Sequence, residues 1–317
     1  MSTQPGPGDG QPDTGLSAIM SERRQLINLT YRLLGSLAEA EDAVQETYAR
    51  WYAMSPEQQD AIESCSGWLT KVASRICFDM LGSARARRER YVGEWIPEPV
   101  PDHTEWIGGQ PGGTMADPAD RVTLDESVSM AFLVVLESMT PAERVALILH
   151  DVFRYAFAEV AEITGRSPVA CRQLATSARR RIRGTQLPVA SAAQHAQHAQ
   201  HAQVVRDFKR AWDAKDIDAL IGLLDPDATA TADTGGLVRA RQRPIEGAEQ
   251  VARVVLIGTA SREPRVTTLE RTVNGQPGLI LRQRGVTVGV LAFGFAGDRI
   301  KRIWAVVNPE KLRAWTN

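Results

Sequence analysis

Up to Arg183 the apolar positions recur at helical spacing; beyond Gln203 they change, after one helical pair, to the alternation of strands. Between Ser21 and Gly35, Leu26, Ile27, Leu29, Tyr31, Leu33 and Leu34 predict a buried helix that Gly35 closes as a C-cap. In the following LAEAEDAVQETYARWY, Ala40, Ala43, Val44, Thr47, Tyr48 and Trp51 share one face, and Glu39, Asp42, Gln45, Glu46 and Arg50 crowd the other. Met54 to Ser66 reads as a polar loop. Trp68, Leu69, Val72, Ala73, Ile76, Cys77, Met80 and Leu81 then make the inner face of a further helix, with Lys71, Arg75, Arg85, Arg87, Arg88 and Arg90 outside. Cations beside the aromatics Trp68 and Phe78 suit an unpaired DNA strand, although core packing is the simpler reading of each ring taken alone.

The helical pattern returns from Asp117 through Val122, Leu124, Val128, Ala131, Phe132, Val135 and Leu136. Thr140-Pro141-Ala142-Glu143 is then a capping box opening a helix with Val145, Leu147, Ile148 and Leu149. Phe157, Val160, Ala161 and Ile163 form a short amphipathic helix, and Thr164-Gly165-Arg166 a tight turn. Ser167 is placed to cap the next helix and Pro168 suits its first position; Ala170, Leu174, Ala178 and Ile182 give it an apolar stripe. Together these predict a helix-turn-helix. No acidic residue lies between Ile163 and Arg183, so the exposed side carrying Arg166, Arg172, Gln173, Thr176, Arg179, Arg180, Arg181 and Arg183 is cationic. Such a face fits phosphates; a solvated arginine-rich helix end is the plainer alternative.

Two stretches read as linkers. Tyr91 to Asp120 holds Pro97, Pro99, Pro101, Pro111 and Pro118 with two Gly-Gly pairs, and AQHAQHAQHAQ before Gln203 is low in complexity. Its His195, His198 and His201 drift around a helix by about 60° per step, so they do not converge on a metal ion. After the pair formed by Val204, Val205, Phe208, Ala211 and Trp212 and by Ile217, Leu220, Ile221 and Leu224, the segments ATATAD, VTTLERTV, GLILRQRG, VTVGVLAFGFAG and RIKRIWAVVN predict a curling antiparallel sheet. The fold class expected is therefore two all-α domains, a helical bundle and a helix-turn-helix, followed by an α+β domain with a cone-like interior able to hold a small molecule. The boundaries are a disordered tail over 1–20, a bundle over 21–92, a linker over 93–120, a helix-turn-helix domain over 121–184, a linker over 185–202 and a sheet domain over 203–317.

A length of 317 residues fits several domains, and a formal net charge of −1 confines any DNA contact to local patches. Cys65, Cys77 and Cys171 are odd in number and unpaired by spacing, as in a reducing cytoplasm. The amino-terminal MSTQPGPGDGQPDTG lacks the makings of an export signal, and no apolar run is long enough to span a membrane.

Glu39 to Tyr52 with Gly67 to Gly93 resembles the second region, and Asp117 to Arg183 the fourth region, of extracytoplasmic-function sigma factors. YVGEWIPEP at Tyr91 to Pro99 and the sheet domain resemble the subgroup with a C-terminal SnoaL-like domain of the NTF2-like fold. The resemblance implies RNA polymerase and promoter DNA as partners, no cofactor and no separate anti-sigma factor. It assigns Asp42, Gln45 and Glu46 to the β′ clamp helices, Lys71 and Arg75 to the −10 element, and the Ser167 helix to the −35 element. Base reading would fall to Arg166, Ser167, Arg172, Gln173 and Thr176, with Arg179 and Arg180 on phosphates. Trp95 and Pro97 of the linker motif, Asp233, Gly235 and Gly236, and Asn308, Pro309 and Lys311 would join the sheet domain to the DNA-binding domains. The subgroup's DGGGK-like motif reads Asp233-Thr234-Gly235-Gly236-Leu237 here, without its lysine. Two rivals remain in view. A SnoaL-like cyclase or isomerase needs a general base, for which Asp227 and Asp233 are candidates although both look like turn residues. A ligand-responsive helix-turn-helix regulator leaves the Ser21 to Gly93 helices without a task.

Overall fold

The computed structural model describes residues 14–88, 94–101, 129–184, 194–236, 244–260 and 266–315. Four helices open the chain: α1 (Thr14–Leu34), α2 (Leu37–Tyr52), α3 (Pro56–Asp60) and α4 (Cys65–Arg88). α1 begins inside the stretch expected to be a disordered tail, because Leu16, Ile19 and Met20 carry helical spacing back from Leu26; residues 1–13 lie outside the described residues. α3 stands where a loop was expected. Ser55 accepts from the Gln58 backbone and the Gln58 side chain returns to Ser55 N, a capping box followed by Pro56 that makes a short helix favourable. Gly35 ends α1 at φ 70°, where an L side chain is strained.

The next unit contains α5 (Met130–Glu137), α6 (Pro141–Leu147) running into a π turn (Ile148–Val152), α7 (Phe157–Thr164) and α8 (Pro168–Gly184). Thr140 and Glu143 form the expected capping box, and Gly165 supplies the left-handed turn between α7 and α8 at φ 66°. The expected helical positions Val122, Leu124 and Val128 lie outside the described residues.

The histidine repeat is helix, not linker. α9 (Gln194–Ala214) runs through it into the sheet domain, since Ala and Gln are good helix formers whatever their repetitiveness. α10 (Ile217–Leu223) and α11 (Ala248–Ala260) complete one layer; α11 was not foreseen. Six strands, β1 (Leu224–Asp233), β2 (Ile245–Glu246), β3 (Thr267–Val273), β4 (Gln276–Gln283), β5 (Val286–Ala296) and β6 (Arg299–Val306), lie in the order β2-β1-β6-β5-β4-β3. The sheet is mixed: β1 and β6 are parallel, because everything between them serves as the long crossover a parallel pair requires. Asn274 and Gly275, at φ 50° and 67°, make the tight β3–β4 hairpin. Register shifts in β1, β4 and β5 bend the sheet around α9, α10 and α11, whose Val205, Phe208, Leu220 and Val251 fill its inner side with Leu279, Leu291 and Phe293.

The sheet's other side is covered too. Val273, Ile280, Val290, Trp304 and Val306 form one core with Ile96, with Met130 of α5, and with Leu312 and Trp315 of a closing 3₁₀ turn (Pro309–Trp315). The two helical units likewise share a core: Leu29, Leu33 and Leu34 of α1 and Ile76 and Leu81 of α4 pack with Leu133, Leu147, Ile148 and Ala175.

Candidate nucleic-acid interface

α8 is built to face two ways. Ser167 Oγ accepts the Ala170 N–H at 3.2 Å, the predicted cap. Cys171, Ala175 and Ala178 are fully buried, flanked by half-buried Leu174 and Ile182, so the buried face is centred one position from the predicted stripe. Arg166, Ser167, Arg172, Gln173, Thr176 and Arg180 are exposed on the other side. Arg172 and Thr176 have local partners. The Arg172 guanidinium lies over the Phe157 ring at 5.5 Å, Phe157 stacks on His150 at 3.8 Å, and the Thr176 hydroxyl donates to Arg172 O at 2.8 Å. Arg179 differs from its neighbours: its Nε and Nη2 donate to both carboxylate oxygens of Asp151 at 2.7 and 2.6 Å, and that bidentate bond raises its pKa above the ordinary arginine value. Arg179 therefore anchors α8 to the π turn, whereas Arg180 is exposed.

Lys71 and Arg75 project from α4 onto the helix-turn-helix itself. Lys71 Nζ is paired with the Glu162 carboxylate, and Arg75 Nη1 donates to Ile163 O at 2.7 Å, both acceptors lying in α7. Behind them Arg144 Nη1 donates to Leu33 O at 2.9 Å and to Glu137 at 3.0 Å, while Nη2 donates to Leu136 O at 2.6 Å. Buried Arg32, its pKa pulled down to about 10 by burial against the opposing effect of Tyr31, sits 5.9 Å from the Phe153 ring. Trp68 meets Trp51 edge to face at 5.3 Å and Phe78 packs on the helical core, so both rings serve packing. On α2, Asp42, Gln45 and Glu46 are exposed, opposite buried Ala40, Ala43, Val44 and Thr47.

Residues 94–101 form a strap between all three units. Its partner in the sheet domain is a buried ion pair, Lys311 with Asp233 at 2.6 Å, their side chains 6% and 0% exposed. Lys311 Nζ also donates to Ile96 O and lies 3.2 Å from the centre of the Trp95 ring. Ile96 N donates to Asp233, Trp315 Nε1 to Pro99 O at 2.9 Å, and Val100 pairs both ways with Asn274. Toward the bundle, Glu98 N donates to Gly35 O, and the Glu98 carboxylate accepts from Leu37 N at 2.8 Å and Ser36 Oγ at 3.3 Å. Burial nevertheless raises the Glu98 pKa, these bonds only partly opposing it. Tyr31 ties the units directly: its hydroxyl donates to Glu98 O at 2.6 Å and accepts from Asn274 Nδ2 at 2.8 Å.

Of the expected interdomain residues, Trp95, Pro97, Asp233, Asn308 and Lys311 lie in or against this junction. Gly235 packs on Asn308: a Cβ there would come within 2.7 Å of Asn308 Oδ1, and its φ is 65°. Gly236 and Pro309 remain exposed, and Leu237 lies outside the described residues. Asp233 is no solvated turn residue, and the pair it makes with Lys311 leaves it unsuited to act as a general base; Asp227 is 91% exposed beside Lys301. Tyr31, Glu98, Glu162, Asn274 and Trp315 were not foreseen. Tyr31 belongs to the apolar pattern of α1, Glu98 to the YVGEWIPEP motif and Asn274-Gly275 to a turn, and none of these signals names a partner. His201 is buried with its ring stacked on Phe295 at 3.9 Å, whereas His198 is exposed; among the described residues no metal-binding cluster occurs.

The Sigma-70 region 2 profile matches residues 18–87 and the Sigma-70 region 4 profile residues 129–182. The extracytoplasmic-function (ECF) RNA polymerase sigma factor SigJ of Mycobacterium tuberculosis is 35% identical over 306 residues, covering 94% of this chain and 93% of its own. The chain belongs to the ECF family of RNA polymerase sigma factors. The probable ECF sigma factor SigI of the same species is 34% identical to this sigma factor over 304 residues, covering 95% of this chain and 96% of its own. The crystal structure of the M. tuberculosis SigJ superimposes on the present sigma factor with a TM-score of 0.72 and 31% identity, covering 94% of this chain and 98% of that one. Region 2 of the sigma factor is thus α1 to α4, region 4 is α5 to α8, and a third, sheet-containing domain follows. Among the described residues no helix is long and apolar enough to cross a membrane.

Proposed function

We propose that this sigma factor is held by its own sheet domain in a closed state that must open before promoter recognition. The observation that carries the proposal is the contact of Lys71 and Arg75 with α7. Promoter elements centred near −10 and −35 are separated by roughly 85 Å of B-DNA at 3.4 Å per base pair. A −10 surface on α4 and a −35 surface on α8 cannot reach both while α4 touches the helix preceding α8. The sheet domain strengthens the closure from behind, covering its apolar side with Met130 of region 4 and Ile96 of the strap, and reaching region 2 through Asn274 and Tyr31.

In the open state, Asp42, Gln45 and Glu46 would dock on the β′ clamp helices, Lys71 and Arg75 would take the melted −10 strand, and α8 would enter the −35 major groove. The sheet domain would act in place of a separate anti-sigma factor, as a clasp and not as an enzyme, within the cytoplasm. Run-off transcription tests this with full-length protein, a chain ending after Gly184, and full-length Lys311→Met, each with limiting core polymerase. The closed-state reading expects promoter-specific initiation from all three, stronger from the two in which the clasp is lost or loosened. Equal initiation from all three refutes regulation by the sheet domain, and absence of specific initiation from every protein refutes the sigma assignment of the sites.

A further inference from the structure

Val169 is the second residue of α8 and is 62% exposed, an aliphatic side chain left in water at the leading end of the helix. A single exposed valine is unremarkable by itself; its setting decides the matter. Val169, Arg172, Gln173 and Thr176 stand at i, i+3, i+4 and i+7, so they share one exposed stripe directly opposite buried Cys171, Ala175 and Ala178. Arg166 precedes it, and no carboxylate occurs on α8. A methyl pair on an exposed face that also carries Arg166 and Arg172 fits a surface that is anionic yet carries an apolar spot. The major groove of DNA is such a surface, and its apolar feature is the C5-methyl group of thymine.

We infer that Val169 is a specificity-determining residue that reads a thymine methyl group in the upstream promoter element. The inference rests on the proposed entry of α8 into the −35 major groove. It adds a non-polar reader to the arginines and Gln173, and it predicts which chemical group of the DNA matters.

Deoxyuridine lacks only that methyl group, so it isolates the contact. Upstream elements supporting initiation by wild-type protein with core polymerase would be selected from a randomised pool, and each thymine then replaced singly by deoxyuridine. At one position the replacement should lower wild-type initiation about 4-fold, the factor corresponding to ~0.8 kcal/mol for one buried methyl-sized group. Val169→Ala should initiate more weakly on the thymine template and be indifferent to deoxyuridine at that position. Being exposed, the substitution should leave thermal unfolding unchanged. Wild-type indifference to deoxyuridine at every position overturns the inference, as does a Val169→Ala protein that retains the wild-type response. Loss of initiation by Val169→Ala without any deoxyuridine effect would place the side chain against polymerase instead, and also overturns it. A selection that enriches no upstream element for wild-type initiation would count against the entry of α8 into the promoter, a result separable from all of these.

Discussion

The Lys311 ammonium group pairs with a carboxylate that has no exposed surface and simultaneously grips the strap through Ile96 O. Removing one member of such a buried pair leaves the other charge uncompensated, at a cost of about 3–5 kcal/mol. Lys311→Met is therefore expected to lower the urea midpoint markedly, whereas Lys71→Met, which breaks a pair on the surface, should cost at most about 1 kcal/mol. Glu98 makes the opposite case. Its folded pKa is raised, so its contribution to stability is complete below the ordinary carboxylate pKa and declines as pH rises through the folded value. At neutral pH the ionised carboxylate is thus a cost. Glu98→Gln keeps an oxygen for Leu37 N and Ser36 Oγ, and is expected to match or exceed wild-type stability at pH 7 while losing its relative advantage near pH 4. Glu98→Ala orphans the Leu37 N–H and should cost about 1–3 kcal/mol at either pH. Urea titrations at the two pH values check both variants.

Elements whose signals are local could be read from the chain alone. Ser167, Thr140 with Glu143, and Gly165 fix the ends of α8, α6 and α7 through hydrogen bonds spanning three or four residues, and all three occur as expected. The strands β1, β3, β4, β5 and β6 were equally legible, because alternation and turn glycines are local, whereas the two-residue β2 is too short to alternate. The errors have a common cause. α3 hides behind polar composition although its capping box is present, and the low complexity of the histidine repeat masks the helix preference of its Ala and Gln. His201 is buried because Phe295, far along the chain, offers a ring to stack on, which no local pattern reveals. The parallel β1–β6 pair and the strap's burial are decided by tertiary partners in the same way. In the candidate site the exposed face of α8 was legible residue by residue, whereas Arg179 was not. Its partner Asp151 lies in the π turn, and only the fold brings the two together.

At the scale of the molecule, three units that the sequence separates by linkers are packed into one body. Composition gave no sign of this, since Pro and Gly content speaks to the connections and is silent on what they connect. The strap ties the units together: Tyr31, Glu98, Asn274, Asp233 and Lys311 form a set of bonds running from region 2 to the sheet domain, and on the proposed reading loosening one end would weaken the other. The same closure occupies Lys71 and Arg75 with α7 and leaves Asp42, Gln45, Glu46 and the outer face of α8 in solvent. On the proposed reading polymerase is met through Asp42, Gln45 and Glu46 before the protein opens, and the free energy of that encounter would separate regions 2 and 4. The most direct test is a distance measurement between spin labels at Ser83 of α4 and Arg180 of α8, both exposed, on a Cys65→Ser background. A closed free protein gives one short, narrow distance distribution, and the promoter complex with core polymerase a much longer one. The same short distribution in both states, or a long and broad one in the free protein, would contradict the proposed opening.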